Sequence, residues 1–353
     1  MSDVPILGLA MIVRNESAVI ERCIRSVKDH IGYWTIVDTG STDGTPYKIR
    51  ELLSEIPGVL YDRAWVDFGH NRSELMELAR GTAQQLVLLD ADMVMLTNGF
   101  GVSSIDVEAD INELLVSGGV EYKMPYIVRG DRPWRFHGST HEYLDGDFEK
   151  RTHFASGVSF LHHGDGGSKS DKFVRDEAML RRQIQSEPDN PRWFFYLAQT
   201  RQNLGDAEGA IVAFRRRIEM GGWDEEVFWS MLSIGEILEA RGDWAEATIA
   251  LLAAWEFRPS RAESLMVLAT GFRSRNMFAS AKLYAELGQK IPIPADRLFV
   301  RRWVYDWGLD FEQSVANWWL GDAMEAQKTW QVLLKRTDLD VAHRLAVESN
   351  LTL

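Results

Sequence analysis

The sequence predicts two folds in series: an α/β domain with a Rossmann-like, mainly parallel sheet over residues 1–170, then an all-α domain of repeated helical hairpins over 171–353. Three observations carry this. Short β-rich runs alternate with single amphipathic stretches through the first ninety residues or so; one apolar strand there ends in two carboxylates; and small residues recur at steps of 37 and 34 positions in the second half. A length of 353 residues with 45% hydrophobic and 26% charged content suits two globular domains.

Taken in order, residues 6–13 read as a buried strand, 16–29 as a helix, 34–37 as a strand and 45–53 as a helix. Residues 58–61 suggest a third strand, 71–80 a helix and 86–89 a fourth strand. Strands separated by single helices imply βαβ units and a parallel sheet. After Asp92 the pattern is irregular, with strand-like pieces at 121–128 and 158–162 that read as part of the same domain. The glycine-rich segment 163–168 then leads into sequence that stays helical.

In that helical part Ala210, Ala247 and Ala281 each follow a small residue twelve positions earlier, namely Ala198, Gly235 and Ala269. Their bulky partners align as Phe194 and Leu197, Met231 and Ile234, Leu265 and Leu268. The steps are close to the period of about 34 residues of tetratricopeptide repeats, whose small residues let antiparallel helices approach. Pro259 closes the second repeat, and a degenerate fourth unit is expected around Ala326 and Trp330. Trp223, Trp229, Trp244 and Trp255 read as packing within the hairpins.

A formal charge of −13 makes a nucleic-acid partner the less expected one, since phosphate binding relies on lysine and arginine. The single cysteine, Cys23, offers no disulfide framework and suggests a reducing compartment. With no basic leader and no apolar run of membrane length, the chain is expected to be soluble, without a membrane span, and cytoplasmic.

Chemistry is concentrated at strand ends. The run 86–92, Leu-Val-Leu-Leu-Asp-Ala-Asp, places Asp90 and Asp92 at the carboxyl end of a strand, the edge where open α/β sheets collect ligands. Two hard oxygen ligands suit magnesium or manganese bridging a diphosphate. A second strand ends at Asp38, followed by Thr-Gly-Ser-Thr-Asp-Gly-Thr to Thr45; Asp38 could accept a hydrogen bond from a base N–H or a ribose hydroxyl. Asp43 fits either a helix cap or a functional group. Arg14, Asn15 and Glu16 close the first strand at the same edge, with Asn15 also able to cap a helix.

These residues resemble a family. Residues 11–16, the Asp38 to Thr45 motif, Phe68-Gly-His-Asn71-Arg72 and Leu89-Asp90-Ala-Asp92 resemble family 2 glycosyltransferases of GT-A fold. His141-Glu142, residues 162–168 and 195–199 resemble tetratricopeptide-containing transferases in which this domain runs into the repeats. The resemblance implies a metal-dependent transferase whose donor is a nucleoside-diphosphate sugar, a UDP-sugar first. It implies that Asp38 reads the nucleobase, Arg72 lies near the base or diphosphate, Asp90 holds the ribose and Asp92, of the Asp-x-Asp motif, binds Mn2+ or Mg2+. It further implies a histidine as metal ligand, His162 ahead of His163.

Inversion, expected from the resemblance, requires a carboxylate near the acceptor hydroxyl. Glu142 is the first candidate, in a stretch with Trp134, Arg135, His137 and Tyr143; Asp131 and Asp145 are rivals. Lys169, Lys172 and Arg175 follow the glycine-rich turn and could fold over the diphosphate, or simply solvate a helix start. The expected acceptor is a hydroxyl-bearing protein or peptide gripped by the repeats. The alternatives are a modified nucleobase of DNA, a glycan, or a non-catalytic binding scaffold.

Overall fold

The computed structural model describes residues 4–99, 101–117, 122–166 and 172–352. The chain divides into two compact units, Met1–Ser186 and Glu187–Leu353. The first unit begins with β1 (Leu7–Val13), α1 (Ile20–Val27), β2 (Tyr33–Asp38), α2 (Thr45–Leu52), β3 (Gly58–Asp62), α3 (Phe68–Ala79) and β4 (Gln85–Leu88). It continues with β5 (Met93–Thr97), β6 (Ile111–Ser117), β7 (Tyr122–Arg129), β8 (Arg135–His137), β9 (Tyr143–Asp145), β10 (Thr152–His162) and α4 (Lys172–Ser186).

Among the described residues an eight-stranded sheet has the order β3-β2-β1-β4-β7-β6-β10-β5. Strands β1 to β4 run parallel; β7 is antiparallel to both β4 and β6, β10 runs parallel to β6, and β5 antiparallel to β10. The sheet is therefore mainly parallel, of GT-A type. Its central strands are apolar on both faces because each face is covered. Leu9, Met11, Ile36 and Val87 pack with Cys23, Ile24 and Ile49 on one side; Ala10, Val37, Leu86 and Leu88 pack with Leu75, Met76 and Trp134 on the other. The carboxyl ends of β1, β2, β4 and β10 consequently share one edge.

The helix expected at 16–29 starts later than its sequence suggests. Asn15 does not cap it: its φ is +56°, and its Oδ1 accepts a 2.7 Å hydrogen bond from the Thr42 N–H. The Glu16 and Ser17 N–H groups are taken by Thr45 Oγ1 and Asp43 Oδ2, at 2.8 and 3.0 Å, so the loop after β1 is fastened to the loop after β2 before α1 begins. Asp43 also accepts from the Thr45 N–H and hydroxyl. It is a clasp between two loops.

Strands β5 and β6 and the β8–β9 hairpin were not expected. Helix α4, assigned by sequence to the helical domain, falls in the first unit.

The second unit contains α5 (Pro191–Asn203), α6 (Ala207–Met220), α7 (Asp224–Arg241), α8 (Trp244–Phe257), α9 (Glu263–Ser274), α10 (Phe278–Gln289), α11 (Leu309–Trp319), α12 (Ala323–Leu333) and α13 (Val341–Asn350). Helices α5 to α12 pair as successive hairpins of tetratricopeptide type. Ala210, Ala247, Ala281 and Ala326 are each the fourth residue of a hairpin's second helix, and all are fully buried. A Cβ on Gly235 would stand 2.6 Å from the Leu251 side chain, which is why no larger residue fits there. Trp229, Trp244 and Trp255 join this packing. Trp223, expected to do so, is instead 45% exposed ahead of α7.

The Asp43 clasp has a pH signature. Burial works to raise its pKa, but hydrogen bonds from Ser17 and Thr45 prevail and hold it at about 2, below its ordinary value of 3.8. A folded-state pKa below the unfolded one gives stability that is complete above the ordinary value and is lost as pH falls through the folded value. Asp43→Asn should cost about 1 kcal/mol at neutral pH, and thermal melts should show the gap to native protein closing as pH falls from about 4 toward about 2.

Candidate active site

At the shared edge, Asp38 ends β2 almost fully buried. Its Oδ1 accepts from the N–H groups of Gly40 and Ser41, at 2.8 and 2.7 Å, and so shapes the turn. Its Oδ2 is buried without a hydrogen-bond partner. Such an oxygen is costly unless a ligand donates to it.

Asp90, two residues beyond β4, accepts at Oδ1 from Arg72 Nη2 at 2.6 Å. Arg72 Nε lies 2.7 Å from Glu142 Oε1, an ion pair without the alignment of a hydrogen bond. The guanidinium also stands over the Phe136 ring, 5.6 Å from its centroid. Burial works to lower the Arg72 pKa, but the charges of Asp90 and Glu142 outweigh it and push the guanidinium up, fixing it as a cation.

Glu142 reaches Arg72 because α3 is stitched to the β8–β9 hairpin. Asp67 caps the helix by accepting from the His70 N–H at 2.7 Å, and Asn71 binds the preceding loop through Val66 N–H and Ala64 O. Ser73 exchanges hydrogen bonds with the Phe136 backbone. A Cβ on Gly69 would stand 2.3 Å from the Gly138 carbonyl oxygen, so glycine is what lets helix and hairpin touch. His141, immediately before Glu142, has φ +51°, a strained conformation of the kind found where surrounding structure dictates placement. Ser73 and Phe136 were not singled out by sequence, and Gly69 only as a member of the Phe68 to Arg72 motif. A glycine in the first turn of a helix was the available signal.

Asp92 follows in the turn before β5. His162, the last residue of β10, pairs with Met93 across the strands, which puts its Nε2 3.3 Å from Asp92 Oδ2. The Gly166 N–H donates to the same oxygen at 3.3 Å, and the His163 N–H donates to the Asp92 carbonyl at 3.0 Å. Partial burial raises the Asp92 pKa, yet the hydrogen bond and charge of His162 with the Gly166 N–H hold it below the usual carboxylate range. A Cβ on Gly166 would lie 3.2 Å from Asp92 Oδ2 and 3.4 Å from Glu16 Oε2, so both carboxylates border this glycine. Asp165 beside it forms a two-pronged salt bridge with Arg22 of α1.

Asp92 and His162 are the two side chains here that could hold a metal ion. An ion about 2.1 Å from each of two neighbouring ligands holds them about 3 Å apart, and the Asp92–His162 spacing of 3.3 Å is close to that. Among the described residues no trio of His, Cys, Asp or Glu is arranged to hold one. The remaining positions would have to be filled by groups other than these side chains, water among them.

Other expected residues lie elsewhere or are otherwise engaged. Asp131, a rival for the general base, does not reach this edge: β7 runs antiparallel to β4 and Arg129 pairs with Gln85, so Asp131 lies at the opposite edge of the sheet, held by Arg129. The rival Asp145 is tied to Lys150 at 2.6 Å. Trp134 is core rather than pocket, 2% exposed, with its Nε1 donating to the Arg129 carbonyl. Lys172 pairs with the buried Asp176 one turn along α4, which also accepts from Thr140. Arg14, His163 and Arg175 are exposed. Lys169 lies outside the described residues.

Residues 9–100 match the family model described as Glycosyl transferase family 2. The family 2 glycosyltransferase domain thus lies at residues 9–100, within the first unit. The chain is similar to the SPbeta prophage-derived glycosyltransferase SunS of Bacillus subtilis (strain 168), 25% identical over 232 residues, which are 62% of this chain and 54% of that protein. It is also similar to a TPR repeat-containing protein of Synechococcus elongatus, 29% identical over 150 residues, covering 39% of this chain and 35% of that one. Thus the chain spans about half or less of the length of these curated relatives. Among solved structures, a thermophilic TPR protein of Thermus thermophilus is 13% identical with a TM-score of 0.37, covering 52% of this chain and 92% of that one. A MamA structure from Desulfovibrio magneticus RS-1 is 14% identical with a TM-score of 0.38, covering 48% and 88% respectively.

In the transferase domain Arg72 is the cation between two acids, and removing it leaves both without compensation. Arg72→Gln should lower unfolding stability by about 3 kcal/mol, measured by urea titration. Arg72→Lys should recover only part of this, since an ammonium cannot serve both carboxylates in the planar geometry of the guanidinium.

Proposed function

We propose that the protein transfers a sugar from a nucleoside-diphosphate sugar to a hydroxyl-bearing acceptor, with a divalent metal at Asp92 and His162 and with inversion at the anomeric carbon. The observation that carries this reading is the convergence of Asp38, Asp90, Asp92 and His162 at the carboxyl edge of one mainly parallel sheet. The unpartnered Asp38 Oδ2 supports nucleobase recognition by a base N–H. Asp90, about a third exposed, is the group for a ribose hydroxyl, with Arg72 holding its carboxylate in place. The donor is expected to be a UDP-sugar and the acceptor a protein or peptide.

Magnesium or manganese at Asp92 and His162 would neutralise charge on the departing diphosphate. Glu142 serves as general base. As the acceptor oxygen bonds to the anomeric carbon, its proton passes to the Glu142 carboxylate, and the bond from that carbon to the diphosphate oxygen breaks with its electron pair leaving on the phosphate. Arg72 positions Glu142 for this transfer, and Glu16, beside Gly166, borders the diphosphate region. No helix among the described residues is long and apolar enough to cross a membrane.

Two measurements test the reading. Calorimetric titration with nucleoside diphosphates should show manganese-dependent binding of one of them, weakened about tenfold or more by Asp92→Ala; binding indifferent to metal in both proteins contradicts the assignment. Glu142→Gln should retain nucleotide binding and lose turnover by about 10²- to 10⁴-fold. Turnover unaffected by that change would remove Glu142 from the mechanism.

A further inference from the structure

In the helical unit the period is interrupted between the third and fourth hairpins. Ala326 follows Ala281 by 45 positions where the preceding step is 34. The additional length is the segment 291–301, which includes Pro292 and Pro294 and adopts neither helix nor strand. It crosses α5, α7 and α9, the first helices of three successive hairpins.

Its contacts are those of a bound peptide. The N–H groups of Arg297 and Leu298 both donate to Glu225 Oε2 of α7, at 2.8 and 2.7 Å. The carbonyls of Leu298 and Phe299 accept from Arg261 at 3.3 and 3.2 Å, and the Arg301 N–H donates to Glu263 of α9 at 3.2 Å. Side chains thus hold its main chain on both sides. Three of its own side chains are read as well. Asp296 bridges Arg258 and Arg261; Phe299 stacks with Phe195 of α5 and packs on Trp229 of α7; Arg301 pairs with Glu236 and lies over Trp229, 4.8 Å from the ring centroid.

Arg261 keeps two hydrogen bonds to Glu263 that do not involve the segment, so the most deeply buried cation retains its partner. Phe299 sits at φ +48°, a strained backbone for a residue with a Cβ, and is 39% exposed.

We propose that the face across α5, α7 and α9 is a binding site for an extended peptide and that residues 294–301 are its intramolecular occupant. The site selects an acid, an aromatic three positions later and an arginine two positions beyond that, as in Asp296, Phe299 and Arg301. A partner peptide of this chemistry binds by displacing the segment, whose tether gives it a high local concentration and so sets a threshold against weak competitors. The proposal stands on the helical unit alone and can fail while the transferase reading holds.

The test uses a synthetic peptide of residues 291–302 labelled with a fluorophore, added to the native chain and to the Asp296→Ala, Phe299→Ala variant. Native protein should bind it weakly, and the variant at least tenfold more tightly, with the gain lost when Glu225→Gln and Glu236→Gln are added. A folded variant, judged by circular dichroism and a cooperative melt, that binds no better than native protein overturns the proposal; so does tight binding to the native chain. Should the double variant fail to fold, Phe299→Gly, which removes the aromatic anchor and relieves the backbone, gives the same readout with the same two outcomes.

Discussion

Arg72 stands between Asp90 and Glu142, two carboxylates that the chain delivers from unrelated places, one just past β4 and the other on the loop between β8 and β9. With Arg72 and Glu142 mostly shielded from water, two anions there would repel strongly without a cation between them. The guanidinium suits this role because its planar fork can meet two acids at once and never loses its charge. The carboxyl edge of the sheet and the loop between β8 and β9 are therefore coupled through one side chain. Its own position is fixed by Asp67, Asn71 and Ser73 around the start of α3, and by the glycine at 69 that lets the hairpin approach.

The four parallel strands were legible because covering a sheet on both faces demands continuous apolar runs, and β1, β2 and β4 have them. Strand β6 was not, because its buried Asn112 interrupts the apolar pattern. That polar group is satisfied: it donates to Gln85 and to the Asp106 carbonyl, while accepting from the Asp106 N–H. Gln85, also buried, binds the carbonyls of Val107 and Ala109. An interior polar network costs little once its bonds are made, but it erases the signal by which a strand is recognised. The same holds at Asn15, whose side chain looked like a helix cap and instead ties one loop to the next.

Site residues divide along a similar line. Asp38, Asp90 and Asp92 were legible because each follows an apolar strand, and parallel strands all end on one side. The reversal at β7 was invisible, and so Asp131, only eleven residues before Glu142, lies at the opposite edge of the sheet. Nearness in sequence reports nothing about which edge a loop serves once one strand runs backwards. His162 is the converse case: seventy residues from Asp92, it arrives beside it because β10 and β5 are antiparallel neighbours in register at Met93.

The helical unit extends this reasoning to a surface. Small residues at fixed spacing report the contacts between helices, since a larger side chain at Gly235 or Ala247 would force the pair apart. They carry no information about the outer faces, where charges and aromatics can vary without changing the hairpin. The departure from the period is what points outward. An insertion between two repeats must either loop into solvent or be gripped, and Glu225, Glu236, Arg258 and Arg261 grip this one through its main chain and its charges. Residues that hold a backbone in this way discriminate mainly through the few side chains they also read, which is how extended peptides are recognised on helical scaffolds. A face so equipped is specific for an extended chain, and its present occupant belongs to the protein itself.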